Sequence, residues 1–134
     1  MLELALHVLD LAENSIRAGA TLITITITED TGTDMLSIEI TDNGRGMSPA
    51  LLAQATDPFF TTKQTRRIGL GLPMFAQAAR ASGGEFHITS AEGTGTTVRA
   101  TFCISHIDRQ PLGDIPGAVA AMIIGNAQVD IVLN

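Results

Sequence analysis

The sequence has a single cysteine, Cys103, and contains no tryptophan or tyrosine among its 134 residues. One cysteine excludes an internal disulfide framework and a cysteine-rich zinc site. Basic residues are also few: eight lysines and arginines stand against fourteen aspartates and glutamates, which gives a formal net charge of −6. Because such a chain repels phosphate backbones at long range, we do not expect it to coat DNA or RNA.

No arginine- or lysine-led signal sequence opens the chain. The longest uncharged apolar run lies between Asp114 and Asp130, is interrupted by Pro116 and Gly125, and falls short of the roughly 20 residues that a spanning helix needs. We therefore expect no membrane segment and a cytoplasmic location. The sequence is 45% hydrophobic and 16% charged. This apolar content is sufficient for the packed core of one domain.

Hydrophobic periodicity divides the chain into helices and strands. Their order is not the strict alternation of a doubly wound sheet, so it favours an α/β (α+β) layer structure in which helices pack on a mixed sheet. Residues 56–68 show neither period, which is typical of a lid or a binding loop. Helices are predicted at residues 2–18, 48–55, 72–81 and 115–124, and strands at 21–28, 35–41, 85–90, 96–105 and 129–133.

The first predicted helix carries a narrow polar stripe on an otherwise mostly apolar surface. On a helical wheel, Glu3, His7, Asp10, Asn14 and Arg17 fall within roughly 80°. The stripe is either a solvated edge or the wall of a cleft, and the wheel alone leaves both interpretations open. Since Asp10 and Asn14 are one turn apart, their oxygens could share Mg²⁺, or the carboxylate could orient a nucleophile.

Half of the cations are concentrated in one segment of this acidic chain. Arg45, Lys63, Arg66 and Arg67 lie between positions 45 and 67, where Asp57 is the single acidic residue. Charge alone does not separate a solvated basic loop from a loop that holds an anion. Glycine pairs shift the balance toward phosphate binding, because glycine frees backbone amides at the start of helices and in turns. These pairs stand at positions 44/46, 69/71 and 93/95.

Four motifs, taken in order, resemble those of the GHKL superfamily, the ATP-binding domains of histidine kinases, DNA gyrase B, Hsp90 chaperones and MutL proteins. Any one of them is unremarkable, and their order and spacing carry the resemblance. The wording of the third is closest to histidine-kinase catalytic domains. The motifs are LDLAENSIRAGA at 9–20, DNGRGM at 42–47, DPFFTTK at 57–63 followed by GLGL at 69–72, and GTGTT at 93–97.

The resemblance implies a fold and a domain division. The fold is the Bergerat two-layer α/β sandwich, a mixed and mainly antiparallel sheet covered by helices on one face. Residues 1–104 would form the ATP-binding domain, and residues 105–134 a C-terminal extension, a helix plus a short strand, packed on the same domain. Gly117, Ala121 and Gly125 recur every four residues in that helix, which permits close packing either on the domain's own core or on a homodimer partner.

The resemblance also implies a nucleotide site with ATP and Mg²⁺ as ligands. Asn14 resembles the Mg²⁺-binding asparagine, and Asp42 the aspartate that accepts the adenine amino group. Thr96 would support adenine through Asp42 and a water molecule, and Gly46 would let the base approach the backbone. The other nucleotide-binding positions implied are Gly44, Met47, Phe60, Gly69, Leu70, Gly71 and Leu72.

Two residues are assigned catalytic roles by the same resemblance. Lys63, with Arg66 or Arg67 as further candidates, would close over the γ-phosphate as part of a lid. Asp10 occupies the position of a glutamate base in the ATP-hydrolysing branches and is one methylene shorter. It either acts as a base or orients the nucleophile, or it gives indirect support to Mg²⁺ or simple polar support. Arg67 departs from the family pattern, because a glycine usually stands there. Phe60 is either a lid anchor over the nucleotide or a core residue.

The implied function is that of a Mg·ATP-binding, histidine-kinase-like ATPase domain in signalling, which transfers the γ-phosphoryl group to a partner protein or to water. The alternative is a nucleotide-responsive binding module with little turnover. A MutL-like clamp is a minor third alternative, disfavoured by the acidic charge. Fewer than a dozen residues precede the first motif, so we expect no complete histidine kinase. The expected partners are ATP or ADP and a phosphoacceptor protein, with no nucleic acid and no membrane; a homodimer stays open.

Overall fold

The computed structural model describes residues 4–55, 71–106 and 109–134. The bounds of its helices and strands agree closely with those predicted from periodicity, while the segment predicted to form a lid lies outside the described residues. In chain order, the elements are α1 (Leu4–Arg17), β1 (Leu22–Asp30), β2 (Met35–Asp42), α2 (Pro49–Ala55), α3 (Gly71–Ala81), β3 (Phe86–Ala91), β4 (Gly95–Cys103), α4 (Ile115–Gly125) and β5 (Asp130–Leu133).

The strands form one mixed sheet of five strands in the order β3-β4-β2-β1-β5. Neighbours pair antiparallel except β1 and β5, which run parallel. The predicted mixed, mainly antiparallel sheet is therefore confirmed. In the β2–β4 ladder Asp42 stands opposite Thr96, so two of the predicted site residues meet at one end of the two central strands.

Alternation along the strands places one row of apolar side chains against the helices. Leu36, Ile38 and Ile40 of β2 are at most 2% exposed, and the residues between them are half-buried. On the helical side, the Phe75 ring of α3 packs against the Phe102 ring of β4, with 5.7 Å between centroids. This is the predicted two-layer sandwich, with its core between the sheet and the helices.

The chain after β4 packs on α1, the helix that carries the predicted polar stripe. The carbonyl oxygens of Pro111 and Leu112 accept hydrogen bonds from the amides of Leu4 and Ala5, at 2.8 and 3.0 Å. These amides belong to the first turn of α1, where backbone donors have no partner inside the helix. The C-terminal segment therefore supplies the N-terminal cap of α1, and β5 continues the sheet beside β1.

The helix α4 has one buried and one exposed apolar face. Ile115, Val119 and Met122 are buried, whereas Ile123 and Ile124 are 45% and 83% exposed. The helix α4 contacts α1. None of the helices in the described ranges combines the length and the apolar character needed to cross a lipid bilayer.

The turn between β1 and β2 is tied to the end of β4 through Asp34. Its backbone has the left-handed φ of 59°, and its carboxylate accepts hydrogen bonds from Ser105 Oγ and, at 3.2 Å, from Cys103 Sγ. These bonds, the one from Ser105 first, lower the pKa of the Asp34 carboxyl below its usual value. The contact anchors the hairpin at the end of the sheet opposite to the Asp42–Thr96 pair.

Candidate functional site

A cavity opens between α1 and the end of the central strands. Its lining is mostly apolar, with a small number of polar groups, as is usual for sites that bind small molecules. Four of these polar groups are side chains: Asn14 and Ser15 from α1, Asp42 from β2 and Thr96 from β4. The full lining consists of Leu11, Asn14, Ser15, Ala18, Ile40, Asp42, Gly46, Met47, Leu72, Thr96 and Val98.

The Asp42 carboxylate is fixed at both oxygens. Ser15 Oγ donates to Oδ2 at 2.6 Å, and the backbone amide of Gly44 donates to Oδ1 at 2.9 Å. An ionised carboxylate has about four acceptor sites, so each oxygen retains capacity for a ligand. The group thus presents a charged acceptor, in a set orientation, at the wall of an apolar cavity, where it suits an N–H donor.

Thr96 is held by a second hydroxyl network on the opposite strand. Its Oγ1 lies 2.8 Å from Ser90 Oγ, which also accepts from the Met47 amide at 2.8 Å and donates to the Gly95 carbonyl at 3.1 Å. A serine hydroxyl has one proton, so when Ser90 donates to Gly95, Thr96 must be the donor to Ser90. Thr96 Oγ1 then keeps its lone pairs as acceptors, on a residue that lines the cavity.

Gly46 is required by the packing of the chain against itself. Its φ is +70°, a conformation that residues with a side chain seldom adopt. A Cβ added there would lie 1.9 Å from the carbonyl oxygen of Ala91. The close approach that this glycine permits in the structure is therefore to the backbone of Ala91, whereas the resemblance implies an approach by a base.

Asn14 stands at the rim of the cavity, beside two guanidinium groups. Arg17 Nη1 lies 3.4 Å from Asn14 Oδ1, and the guanidinium of Arg45 donates to the Arg17 carbonyl at 2.6 Å. A second, adjoining cleft is lined by these three residues together with Ala18, Gly46, Met47 and Leu51. Cations are thus present next to the polar face of α1 within the described residues, and an anionic group entering the cleft would meet them.

The oxygen donors on α1 fit a hard cation. Asn14 contributes an amide oxygen, and Asp10, exposed and one turn earlier, contributes a carboxylate. Within the described ranges no group of three or more His, Cys, Asp or Glu side chains is placed to hold a metal. By donor type these two residues suit Mg²⁺, which is usually bound through one or two carboxylates and completed by substrate phosphates and water.

Most of the predicted site residues that the structure describes converge on the cavity. Gly44 contributes its amide to Asp42, and Gly71 begins α3 immediately before Leu72. Asp10 is not part of the cavity lining. Phe60, Lys63, Gly69 and Leu70 lie outside the described residues. The predicted residues that line the cavity are Asn14, Asp42, Gly46, Met47, Leu72 and Thr96.

Sequence reasoning missed the two serines that hold the site. Ser15 directly follows Asn14, and because adjacent helical residues point about 100° apart, it lies outside the polar stripe. Ser90 is separated from the third glycine motif by Ala91 and Glu92. No local pattern marks either serine, because each is recognised only by its contact with another element of the fold.

Comparison with known proteins identifies the family. The model of the family described as "Histidine kinase-, DNA gyrase B-, and HSP90-like ATPase" matches residues 2–106. The chain therefore belongs to this family, and it carries the ATPase domain found in sensor histidine kinases. The resemblance inferred from the four motifs is confirmed.

Individual relatives are sensor proteins. The chain is 40% identical over 108 residues to the sensor protein kinase FleS of Pseudomonas aeruginosa, an alignment that covers 81% of this chain and 26% of FleS. It is 38% identical over 88 residues to the sensor histidine kinase ZraS of Salmonella typhi, covering 65% of this chain and 19% of ZraS. A putative sensor protein of Shewanella frigidimarina is 36% identical over 85 residues, covering 63% of this chain and 13% of that protein.

The matched regions are small parts of these relatives. The chain spans about a quarter of the length of FleS and a smaller share of the other two proteins. Among solved structures, the histidine kinase domain of the blue-light activated histidine kinase EL346 from Erythrobacter litoralis is similar at 20% identity and a TM-score of 0.44. That match covers 64% of this chain and 34% of the other.

Proposed function

We propose that this chain binds Mg·ATP in the cavity beside α1 and promotes transfer of the γ-phosphoryl group to a partner protein or to water, in cytoplasmic signalling. The observation that carries the proposal is the Asp42 carboxylate. It is oriented by two hydrogen bonds and still able to accept another at the wall of an apolar cavity. Membership of the ATPase family supports the same ligand.

The adenine end of the proposed site is formed by Asp42 and Thr96. A flat aromatic base suits the apolar lining supplied by Met47, Leu72 and Val98, and its exocyclic amino group is a donor for Asp42. Guanine carries a carbonyl oxygen at the corresponding position, which a carboxylate disfavours because both groups are acceptors. The site therefore selects adenine by the direction of one hydrogen bond.

The phosphate end is assigned to Asn14 and the nearby cations. Asn14, with Asp10 one turn away, offers oxygen atoms to Mg²⁺, which when bound would neutralise phosphate charge. Arg17 lies within 3.4 Å of Asn14 and provides a positive charge in the adjoining cleft. From the resemblance, Lys63 and the amides of residues 69–71 are assigned to the phosphates as well.

Phosphoryl transfer requires positioning and charge stabilisation more than covalent chemistry by the protein. The rigid α1 helix aligns Asn14 with Asp42 through Ser15, which fixes the separation between the two ends of the ligand. Asp10 is assigned the role of orienting the attacking group, directly or through a water molecule.

The exposed position of Asp10 favours the second candidate function. Asp10 lies outside the cavity lining, and its side chain is one methylene shorter than glutamate. Both features are expected of a domain that binds ATP and turns it over slowly, so that the nucleotide mainly changes the surface offered to a partner.

One experiment separates the two functions. ATP affinity is measured by calorimetry on the whole chain with Mg²⁺, and released phosphate is counted for the same protein and for Asp10→Asn. Phosphate release that is lost in Asp10→Asn supports the enzyme. Tight binding without release, and no effect of the substitution, supports the binding module. If the folded chain binds no adenine nucleotide, both functions are excluded.

A further inference from the structure

The Ser15 side chain is buried, with 5% of the residue exposed to solvent. Two acceptors lie within its reach: Asp42 Oδ2 at 2.6 Å and the Leu11 carbonyl, one helical turn earlier, at 3.3 Å. A helical serine usually bonds back to such a carbonyl. Here the shorter contact to a charged acceptor is the stronger one, so the single proton of Ser15 is directed to Asp42.

This proton determines how the carboxylate is oriented. The terminal torsion of an aspartate is broad and roughly two-fold, so one hydrogen bond from the Gly44 amide would leave the carboxylate plane able to rock. The second bond, from Ser15 to the other oxygen, fixes the plane. Because Ser15 belongs to α1 and Gly44 follows β2, the orientation depends on helix and strand together.

The same proton also determines whether the cavity wall offers hydrogen-bond donors or acceptors at this point. With its proton donated to Asp42, Ser15 offers no donor to a ligand, and an ionised Asp42 has none. A ligand atom placed beside this pair meets acceptors alone. An amino group is favoured there, and a carbonyl oxygen is opposed.

We propose that Ser15 is a positioning residue that sets the preference of the nucleotide site for a base with an amino group over one with a carbonyl group. The inference rests on the proposed ATP site. It concerns Ser15, which has no assigned contact with the nucleotide in that site. Ser15 acts through Asp42, so removal of the Ser15 hydroxyl should reduce the selectivity of the site between the two bases.

The test compares ATP with inosine triphosphate, which carries a carbonyl in place of the adenine amino group. Dissociation constants for both nucleotides are measured on the whole chain with Mg²⁺, and the ratio of the two constants is the readout. In Ser15→Ala we expect the preference for ATP to fall about 3- to 10-fold, the range of one ordinary hydrogen bond. A role limited to helix stability would weaken both nucleotides equally and leave the ratio unchanged.

Ser82→Ala is the matched control. Ser82 is fully buried, and its hydroxyl donates to the Ala79 carbonyl at 3.0 Å, but it lines no part of the cavity. This variant loses a buried serine hydrogen bond as Ser15→Ala does, and it should retain the wild-type ratio. A loss of preference in Ser82→Ala equal to that in Ser15→Ala would overturn the inference.

If Ser15→Ala does not fold, Ser15→Cys is measured in its place. A thiol is a weak donor, so we expect an ATP preference below that of the unaltered chain. In Asp42→Asn the ratio should no longer respond to Ser15→Ala, because the acceptor through which Ser15 acts is gone. An unchanged ratio in Ser15→Ala or in Ser15→Cys, with ATP binding intact, overturns this inference alone. Failure of the unaltered chain to bind ATP overturns the proposed function and the inference together.

Discussion

Replacement of Gly46 by alanine should destabilise the protein through two separable effects. The first is conformational, because Gly46 has a φ of +70°, and the left-handed region costs a residue with a Cβ about 1–2 kcal/mol. The second is steric. The new methyl would lie 1.9 Å from the Ala91 carbonyl oxygen and 2.7 Å from its carbon, and both are backbone atoms that cannot rotate away as the end of a side chain can.

The steric part is the larger effect. Overpacking a tight contact costs about 1–3 kcal/mol, and the segment beside Ala91 also carries Ser90, which holds Met47 and Thr96. Added to the conformational cost, the total for Gly46→Ala is about 2–5 kcal/mol. The shift needed to relieve the clash would move the wall of the cavity, so nucleotide affinity should fall as well.

Gly93→Ala isolates the conformational effect. Gly93 has a φ of +79°, and a Cβ added there would meet nothing within 4 Å, so we expect about 1–2 kcal/mol. The assay is urea unfolding at neutral pH for both variants, with the denaturant dependence checked for a common slope. If Gly46→Ala costs no more than Gly93→Ala, the contact with Ala91 does not constrain this turn and the reasoning is refuted.

Three further predictions concern the site and the hairpin anchor. Asp42→Asn should weaken ATP binding by about 1–3 kcal/mol, since a buried acceptor pattern is altered, and unchanged affinity in calorimetry would remove Asp42 from the site. Lys63→Ala should weaken ATP more than ADP, and equal losses would mean that its side chain does not reach the γ-phosphate. Asp34→Asn should lower the free energy of unfolding at neutral pH. The hydrogen bonds from Ser105 and Cys103 lower the pKa of Asp34 in the folded protein below its ordinary value of 3.8. The stabilisation by Asp34 is therefore present above pH 3.8, and it is lost as the pH falls through the pKa of the folded protein. Urea unfolding of both proteins across the acid range should show the gap closing, and a gap independent of pH would contradict the assignment.

The elements of the fold were predictable because local patterns dominate them. Alternation in β1 and β2 and the apolar spacing of α3 indicate both type and length, and glycine pairs mark the end of β2 and the start of α3. The strand order was not accessible in the same way. The parallel pairing of β5 with β1 joins residues more than a hundred positions apart, and no local pattern records such a contact.

The family resemblance indicated Asp42 and Asn14, and the structure places both of them at one cavity. The side chains that hold Asp42 and Thr96 were not indicated. Ser15 and Ser90 are ordinary hydroxyl residues, and their importance comes from distances of 2.6 and 2.8 Å to other side chains. Such distances are products of packing between a helix and a sheet.

The polar stripe on α1 illustrates the same limit. The wheel places His7 in line with Asp10 and Asn14, yet His7 is 3% exposed, pairs with Gln110 Oε1 at 2.9 Å and packs on the Phe75 ring. The stripe is divided among the residues that the structure describes: His7 contacts Gln110 of the C-terminal segment, and Asn14 lines the cavity. One helix thus joins the docking of residues 109–134 to the placement of Asn14 and Ser15.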